Sequence, residues 1–183
     1  IFLAMSLVAC RQEVENARVV DKLPVLFPDY IGVTIPSTIA PMNFSVEGDV
    51  EIVDVVARGS KGGEMHVQGD YADFDIDDWH ALVARNKGGK LTFTVCTKDN
   101  GVWTRYRDFD MYVSNYDMPD YGLTYRRIAP GYEVYSHMGL YERRLDNFEE
   151  RALIENTQVT GMCVNCHTSN RTNPDNYVFH VRG

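Results

Sequence analysis

The stretch Lys90-Leu91-Thr92-Phe93-Thr94-Val95-Cys96-Thr97-Lys98 decides the fold class of this chain. Its apolar residues alternate with polar ones, which is the period of a strand that buries one face. The buried face is predicted to carry Leu91, Phe93 and Val95. Cys96 points to the other face. Residues 99–101 are Asp-Asn-Gly, a hairpin turn signal, and residues 102–106 return as a second strand, so the stretch predicts an antiparallel hairpin.

Further short runs of β-branched and aromatic residues lie on both sides of this hairpin and are bounded by Pro, Gly and Asn. These runs read as strands because their apolar residues alternate or cluster over four to eight positions. They cover residues 31–36, 42–46, 50–56, 64–68 and 109–115. Several short strands with regular turn signals predict a mainly β domain over residues 30–117. We expect an antiparallel β-sandwich, with an immunoglobulin-like arrangement as one form of it.

One short helix interrupts the strand pattern. Asp75 or Asp77 is placed to cap its amino terminus, because a carboxylate accepts hydrogen bonds from the first backbone amides of a helix. Trp79, Leu82 and Val83 share one helical face. The sequence therefore predicts a single surface helix packed against the β domain by this apolar face.

A cofactor motif stands near the other end of the chain, at Cys163-Val164-Asn165-Cys166-His167. C-x-x-C-H is the attachment signature of a c-type haem. In that chemistry Cys163 and Cys166 form thioethers to the haem vinyl groups and the His167 imidazole binds the iron as an axial ligand. A redox-active dithiol and half of a zinc site are the alternatives. Zinc needs a second ligand pair, which the remaining cysteines do not supply as a motif.

A second axial ligand is predicted at His180, which is the strong iron ligand downstream of the motif. The turn-rich segment 168–175 can reverse the chain after His167 and return a strand toward the haem. Met162, Met138 and His137 are the alternative ligands, and a five-coordinate iron with an open distal side is the competing arrangement.

The first ten residues are an apolar run that ends in Leu7-Val8-Ala9-Cys10 and is followed at once by polar sequence. Ten residues are too short to cross a bilayer, so the run is interpreted as the end of an export signal. Leu7 to Cys10 also resembles a bacterial lipobox, in which the cysteine is lipidated. Residues 1–10 are thus predicted to be a signal remnant with lipidation at Cys10. Residues 11–29, which lack a stable period, are predicted to be a tether.

Composition limits the classes of partner. The chain has 183 residues and a formal net charge of −8, without a cluster of Lys or Arg. Because phosphate binding needs a concentrated basic surface, a nucleic-acid partner is not expected. The β domain also lacks a Gly-rich phosphate loop, a G-x-S-x-G motif and a catalytic His/Glu pair at metal spacing. No catalytic residue is therefore assigned.

The part of the chain from residue 130 onward resembles a known family. The tracts that carry the resemblance are 130–133, 138–143, 145–149, 163–167, 173–175 and 179–183. They are similar to the amino-terminal part of exported bacterial lipoproteins that join a mono-haem c-type segment to a TolB-like β-propeller. The resemblance covers residues 30–183 loosely and 130–183 well. It implies an envelope location, a haem c and a following propeller, which is missing here because the chain stops at Gly183.

These observations combine into one functional hypothesis. Residues 118–183 are expected to form a c-type haem segment that leads towards the missing propeller. The whole is expected to be a lipid-anchored c-type cytochrome of the cell envelope, on the periplasmic side or the outer membrane. It transfers one electron at a time to a redox partner protein. The alternative is an envelope module that binds a protein or ligand and in which the haem is structural or sensory. A thiol–disulfide protein is the third hypothesis.

Overall fold

In the computed structural model, the described residues are 11–118, 122–128, 138–158, 161, 163–170 and 173–183. They form two compact units. The first contains residues 11–35 and 41–115, and the second contains the described residues among 36–40 and 116–183. Both units are mainly β, and the described residues include a single α-helix, which confirms the predicted β-rich class.

The first unit is built on one seven-stranded sheet. The elements of this unit, in chain order, are β1 (Arg18–Val19), β2 (Leu26–Phe27), β3 (Thr34–Ile35), β4 (Ser45–Val46), β5 (Ile52–Gly59), β6 (Glu64–Gly69), α1 (Ile76–Arg85), β7 (Lys90–Asp99), β8 (Val102–Arg105) and β9 (Phe109–Val113). The main path through the sheet is β1-β8-β7-β5-β6. Strand β9 also pairs with β7, and β3 pairs with β9. Strands β2 and β4 form a separate two-stranded ribbon.

Strand β7, which contains the alternating stretch at residues 90–98, is the centre of this sheet. Its first half pairs with β9, its second half pairs with β8, and its other edge pairs with β5 along nearly its whole length. Leu91, Phe93 and Val95 are fully buried, as their alternation predicted. The same period holds on β5, where Val55 lies opposite Val95 and is also fully buried. The alternation therefore fixed which face of the sheet became the core.

An aromatic cluster fills that core. The Phe93 and Phe109 rings are stacked with centroids 5.1 Å apart, and Phe44 meets both rings edge-on at 6.3 and 6.2 Å. Phe74 joins the cluster and lies 5.2 Å from Trp79 of the helix. Aromatic pairs at these separations add to the free energy gained by burying their area. The cluster thus ties helix α1 to the sheet.

The amino-terminal cap of the helix is one of the two residues predicted from the sequence. Asp75 is the cap, and its Oδ1 accepts hydrogen bonds from the backbone amides of Asp77 and Asp78 at 2.9 and 3.0 Å. The apolar face of Trp79, Leu82 and Val83 is buried. The carboxyl end depends on Asn86, which sequence reasoning did not identify and whose side chain is fully buried.

The segment predicted to be a tether is packed into the first unit. Residues 18 and 19 extend the sheet by pairing in parallel with Thr104 and Arg105, and residues 26 and 27 pair with β4. Two-residue strands carry no detectable period, so the sequence did not reveal them. Backbone hydrogen bonds to neighbouring strands hold these two-residue strands in place.

The second unit contains a three-stranded antiparallel sheet and a two-stranded hairpin. The sheet consists of β10 (Gly122–Arg127), β11 (Gly139–Arg144) and β12 (Glu150–Glu155), and the hairpin of β13 (Cys163–Asn170) and β14 (Asn173–Arg182). Residues 36–40 also belong to this unit, because Ala40 N donates to Leu145 O at 2.8 Å. Its core includes the fully buried Leu140 and Val164.

Candidate functional site: the Cys163–His167 hairpin

The C-x-x-C-H motif forms the first part of β13. Val164 pairs with Val181 and His167 pairs with Phe179, so two residues of β13, Asn165 and Cys166, lie opposite one residue of β14. That residue is His180. A two-against-one arrangement is a β-bulge, which bends the strand and turns its side chains away from regular alternation. The predicted chain reversal after His167 is therefore present, and it brings His180 back beside Cys166.

One face of the hairpin packs against β10. Directly paired residues share a face, so His167 and Phe179 lie on the side of the buried Val164. His167 Nε2 lies 3.0 Å from the backbone oxygen of Thr124 and, because a carbonyl only accepts, Nε2 carries the proton in this contact. The nitrogen is thus already engaged by the chain.

An open depression beside the hairpin is lined by residues of both of its faces. This depression, of about 340 Å³, is lined by Cys166, His167, Thr168, Val178, Phe179 and His180. Cys166 is exposed, and Val178 is 77% exposed. His180 follows Phe179, so alternation places it on the side opposite to the His167 face. The structure therefore brings His180 and Cys166 together and does not place His167 and His180 on one face.

Cys163 is held by an arginine. Arg126 donates from Nη2 to Cys163 Sγ at 3.3 Å and from Nε to the Val164 carbonyl at 3.1 Å. Both contacts come from β10 and fix the start of β13. Cys163 is half-buried, Cys166 is exposed, and neither forms a disulfide.

The donor set fits a c-type haem in residue type, in spacing and in the exposure of the Cys166 thiol. The chain offers two reduced cysteines at the attachment spacing, a half-exposed imidazole and an apolar rim. Use of His167 Nε2 requires its contact with Thr124 to break, which costs about one hydrogen bond, ~0.5–1.5 kcal/mol. No group of three or more His, Cys, Asp or Glu side chains suited to a metal ion occurs within the described parts of the chain.

The remaining predicted ligands have different positions. Met138 is half-buried, and its backbone carbonyl accepts from Asn156 N at 2.9 Å. His137, Met162 and the predicted lipidation residue Cys10 lie outside the described residues. Their roles remain predictions.

A polar cluster in the first unit was not predicted from sequence. The buried carboxylate of Asp54 accepts from His66 Nε2 at 2.7 Å and from Gln68 Nε2 at 2.8 Å. Arg11 Nη1 donates to His66 Nδ1 at 2.8 Å, which assigns the Nε2–H tautomer to His66. Neighbouring strands brought Asp54 and Gln68 into register. The alternating pattern of the two neighbouring strands could have indicated that Asp54 and Gln68 lie together. Nothing in the sequence pattern could have indicated that Arg11 joins them.

Cys96 lies beside that cluster, directly opposite Asp54 on the neighbouring strand. Burial, followed by the nearby Asp54 carboxylate, raises the pKa of the Cys96 thiol to about 11. A thiol with such a pKa stays protonated at neutral pH and is a poor nucleophile. Cys96 therefore contributes packing, in contrast to the exposed Cys166 of the C-x-x-C-H motif.

Comparison with known proteins gives no family for this chain. A scan against models of protein families finds no match, and no curated protein is significantly similar to it. Within the part of the chain that the structure describes, none of the helices has the length and apolar character needed to traverse a lipid bilayer.

Proposed function

We propose that residues 163–167 attach a haem c through Cys163 and Cys166, with His167 as an axial ligand, and that the protein is a one-electron carrier of the bacterial cell envelope. When bound, the haem supplies an iron that cycles between the ferric and ferrous states. The resemblance to exported haem-bearing lipoproteins favours the same proposal. A redox protein of the envelope is the expected partner.

The observation that carries this proposal is the exposed apolar surface beside the Cys166 thiol. Val178 and Phe179 are 77% and 37% exposed, and both line the depression that also contains Cys166. Exposed apolar side chains next to a free thiol suit a large apolar cofactor, since covering them removes that area from water.

Three residues outside the attachment cysteines have proposed roles in holding the haem. Arg126 fixes the start of β13 through Cys163 Sγ and the Val164 carbonyl. His180 lines the same depression as Cys166, which supports the proposal that it is the second axial ligand. His167 would bind the iron through Nε2 in place of its contact with the Thr124 carbonyl, with the ring proton moved to Nδ1.

The anchoring and the finer fold are part of the same proposal. Cys10 carries the lipid, and the mature protein faces the periplasm from the inner or the outer membrane. We also propose that the first unit is a β-sandwich, because the β2–β4 ribbon and the seven-stranded sheet supply strands for two layers.

The experiment is a pyridine haemochrome assay on protein matured with the haem-attachment machinery. Wild type is expected to hold one covalent haem, and Cys163→Ala with Cys166→Ala is expected to hold none. Cys96→Ala is the matched control, since it removes a cysteine outside the motif and is expected to keep the haem. A wild-type protein without covalent haem, or a double variant that keeps it, contradicts the proposal.

The second axial ligand is tested on the same material. His180→Ala is expected to convert a low-spin spectrum to a high-spin one and to admit carbon monoxide readily to the ferrous form. If the wild type is already high-spin, or the variant stays low-spin, His180 is not the ligand. Met162, Met138 and His137 are then the next candidates.

A further inference from the structure

The start of the described chain is bound to the sheet of the first unit. Arg11 donates from Nη1 to His66 Nδ1 at 2.8 Å and from Nη2 to His66 O at 2.7 Å. Gln12 N donates to Gln68 Oε1 at 2.7 Å, and Gln68 Nε2 donates back to Gln12 O at 2.8 Å. Four hydrogen bonds therefore hold two consecutive residues on strand β6.

The same segment is fixed further along. Lys98 Nζ donates to the Gln12 side chain at 2.7 Å. Downstream, Val20 N donates to Arg105 O at 2.9 Å, and Lys22 O accepts from Arg107 N at 3.0 Å. We call residues 11–22 the strap, because hydrogen bonds tie both of its ends to the sheet.

The receptor side chains for the strap are held by a buried carboxylate. The Asp54 carboxylate, which is 4% exposed, accepts from both His66 and Gln68. It therefore fixes the imidazole with Nδ1 directed at Arg11 and the Gln68 amide with its oxygen available to Gln12. A buried carboxylate oxygen that accepts from both side chains makes the docking geometry specific.

We infer that the strap-bearing surface of the first unit lies directly against the phospholipid bilayer. This rests on the proposed lipidation of Cys10. Cys10 is bonded directly to Arg11 in the chain, so a lipid on Cys10 begins one residue from the docked segment. A free spacer over residues 11–29 has a root-mean-square span of about 24 Å instead. Docking of Arg11 and Gln12 removes that spacer.

The lipid, and not charge attraction, holds this surface at the membrane. The exposed charged residues of the strap balance in sign: Arg11, Arg18 and Lys22 against Glu13, Glu15 and Asp21. Screening of exposed charges by salt therefore leaves the arrangement unchanged. Val19 is 74% exposed within the strap and adds an apolar side chain suited to the headgroup region.

The test measures energy transfer on the full-length lipoprotein in liposomes of phosphatidylethanolamine and phosphatidylglycerol. A fluorescent amino acid replaces Val102, which is 56% exposed and precedes Trp103, the cross-strand partner of Lys98. The acceptor is on the lipid headgroups. Wild type is expected to show efficient transfer at low and high salt. Arg11→Ala with Gln68→Ala is expected to lower the efficiency at least twofold.

Two further proteins complete the design. Arg18→Ala loses the same charge as Arg11→Ala, but its side chain makes none of the strap contacts described above, so transfer is expected to stay at the wild-type level. A ten-residue Gly-Ser insertion between Cys10 and Arg11 leaves every strap contact in place and is expected to lower transfer as the double variant does.

The inference is overturned if wild type floats with the liposomes yet shows the low transfer of the insertion protein. Cys10→Ser is expected not to float with the liposomes. If wild type also does not float, the lipid anchor itself is refuted and the inference fails with it. Flotation therefore separates failure of the anchor from failure of the docking.

Discussion

Replacement of Asn86 by alanine is expected to destabilise the first unit strongly. The Asn86 side chain is fully buried and makes three hydrogen bonds: Nδ2 donates to Leu82 O at 2.8 Å and to Gly62 O at 3.0 Å, and Oδ1 accepts from Lys61 N at 2.7 Å. These bonds join the end of helix α1 to the β5–β6 turn. Alanine removes the side-chain partners of the Gly62 carbonyl and the Lys61 amide, whereas the Leu82 carbonyl still accepts from the Asn86 backbone amide at 3.2 Å.

The magnitude follows from those three groups. A buried hydrogen bond contributes about 0.5–1.5 kcal/mol net, and a buried group left unsatisfied costs about 1–3 kcal/mol. The free energy of unfolding is therefore expected to fall by roughly 2–4 kcal/mol, which lowers the Tm by about 10 °C or more for a unit of this size. Urea unfolding followed by circular dichroism measures the change.

The control is Arg85→Ala, which truncates the preceding, exposed residue and is expected to change stability by less than about 0.5 kcal/mol. Gly59→Ala is an independent check, because its Cβ would lie 2.0 Å from Asn86 Nδ2 and displace the same side chain. If Asn86→Ala lowers the free energy of unfolding by less than about 1 kcal/mol, the reasoning that these three bonds stabilise the first unit is refuted.

Two further outcomes follow from burial and close packing. Because the folded state raises the pKa of Cys96 to about 11 from an ordinary value of 9.0, the native protein binds this proton up to a higher pH than the unfolded chain; stability is retained below about pH 9 and falls toward pH 11. Urea unfolding at several pH values should show that Cys96→Ala loses this part of the pH dependence, and an unchanged slope would contradict it. Gly139→Ala should destabilise the three-stranded sheet by more than about 2 kcal/mol, since its Cβ would lie 2.3 Å from the Ile154 carbonyl oxygen. Hydrogen exchange of the β11 amides measures this loss, and unchanged protection would show that the strands separate at little cost.

Much of the local structure could be predicted from the sequence because it depends on short-range patterns. The alternation in β7 fixes its buried face, the Asp75 carboxylate fixes the start of helix α1, and the turn-rich segment after His167 fixes the return of β14. Each of these signals lies within about ten residues of the structure that it specifies. The haem motif is likewise legible in five consecutive residues, and its cofactor remains a prediction.

Only the tertiary structure decided how distant residues meet. Arg11 contacts His66 across 55 positions, and Lys98 contacts Gln12 across 86, so no local period could have indicated that the predicted tether is bound to the sheet. The β-bulge that places Cys166 beside His180 depends on the register of two strands, which is set by the packing of Val164 in the core. Sequence by itself determined the longer strands of the first unit, the helix and the residue types of the C-x-x-C-H motif. The fold decided which distant side chains meet on one face, because register and burial are properties of the assembled sheet.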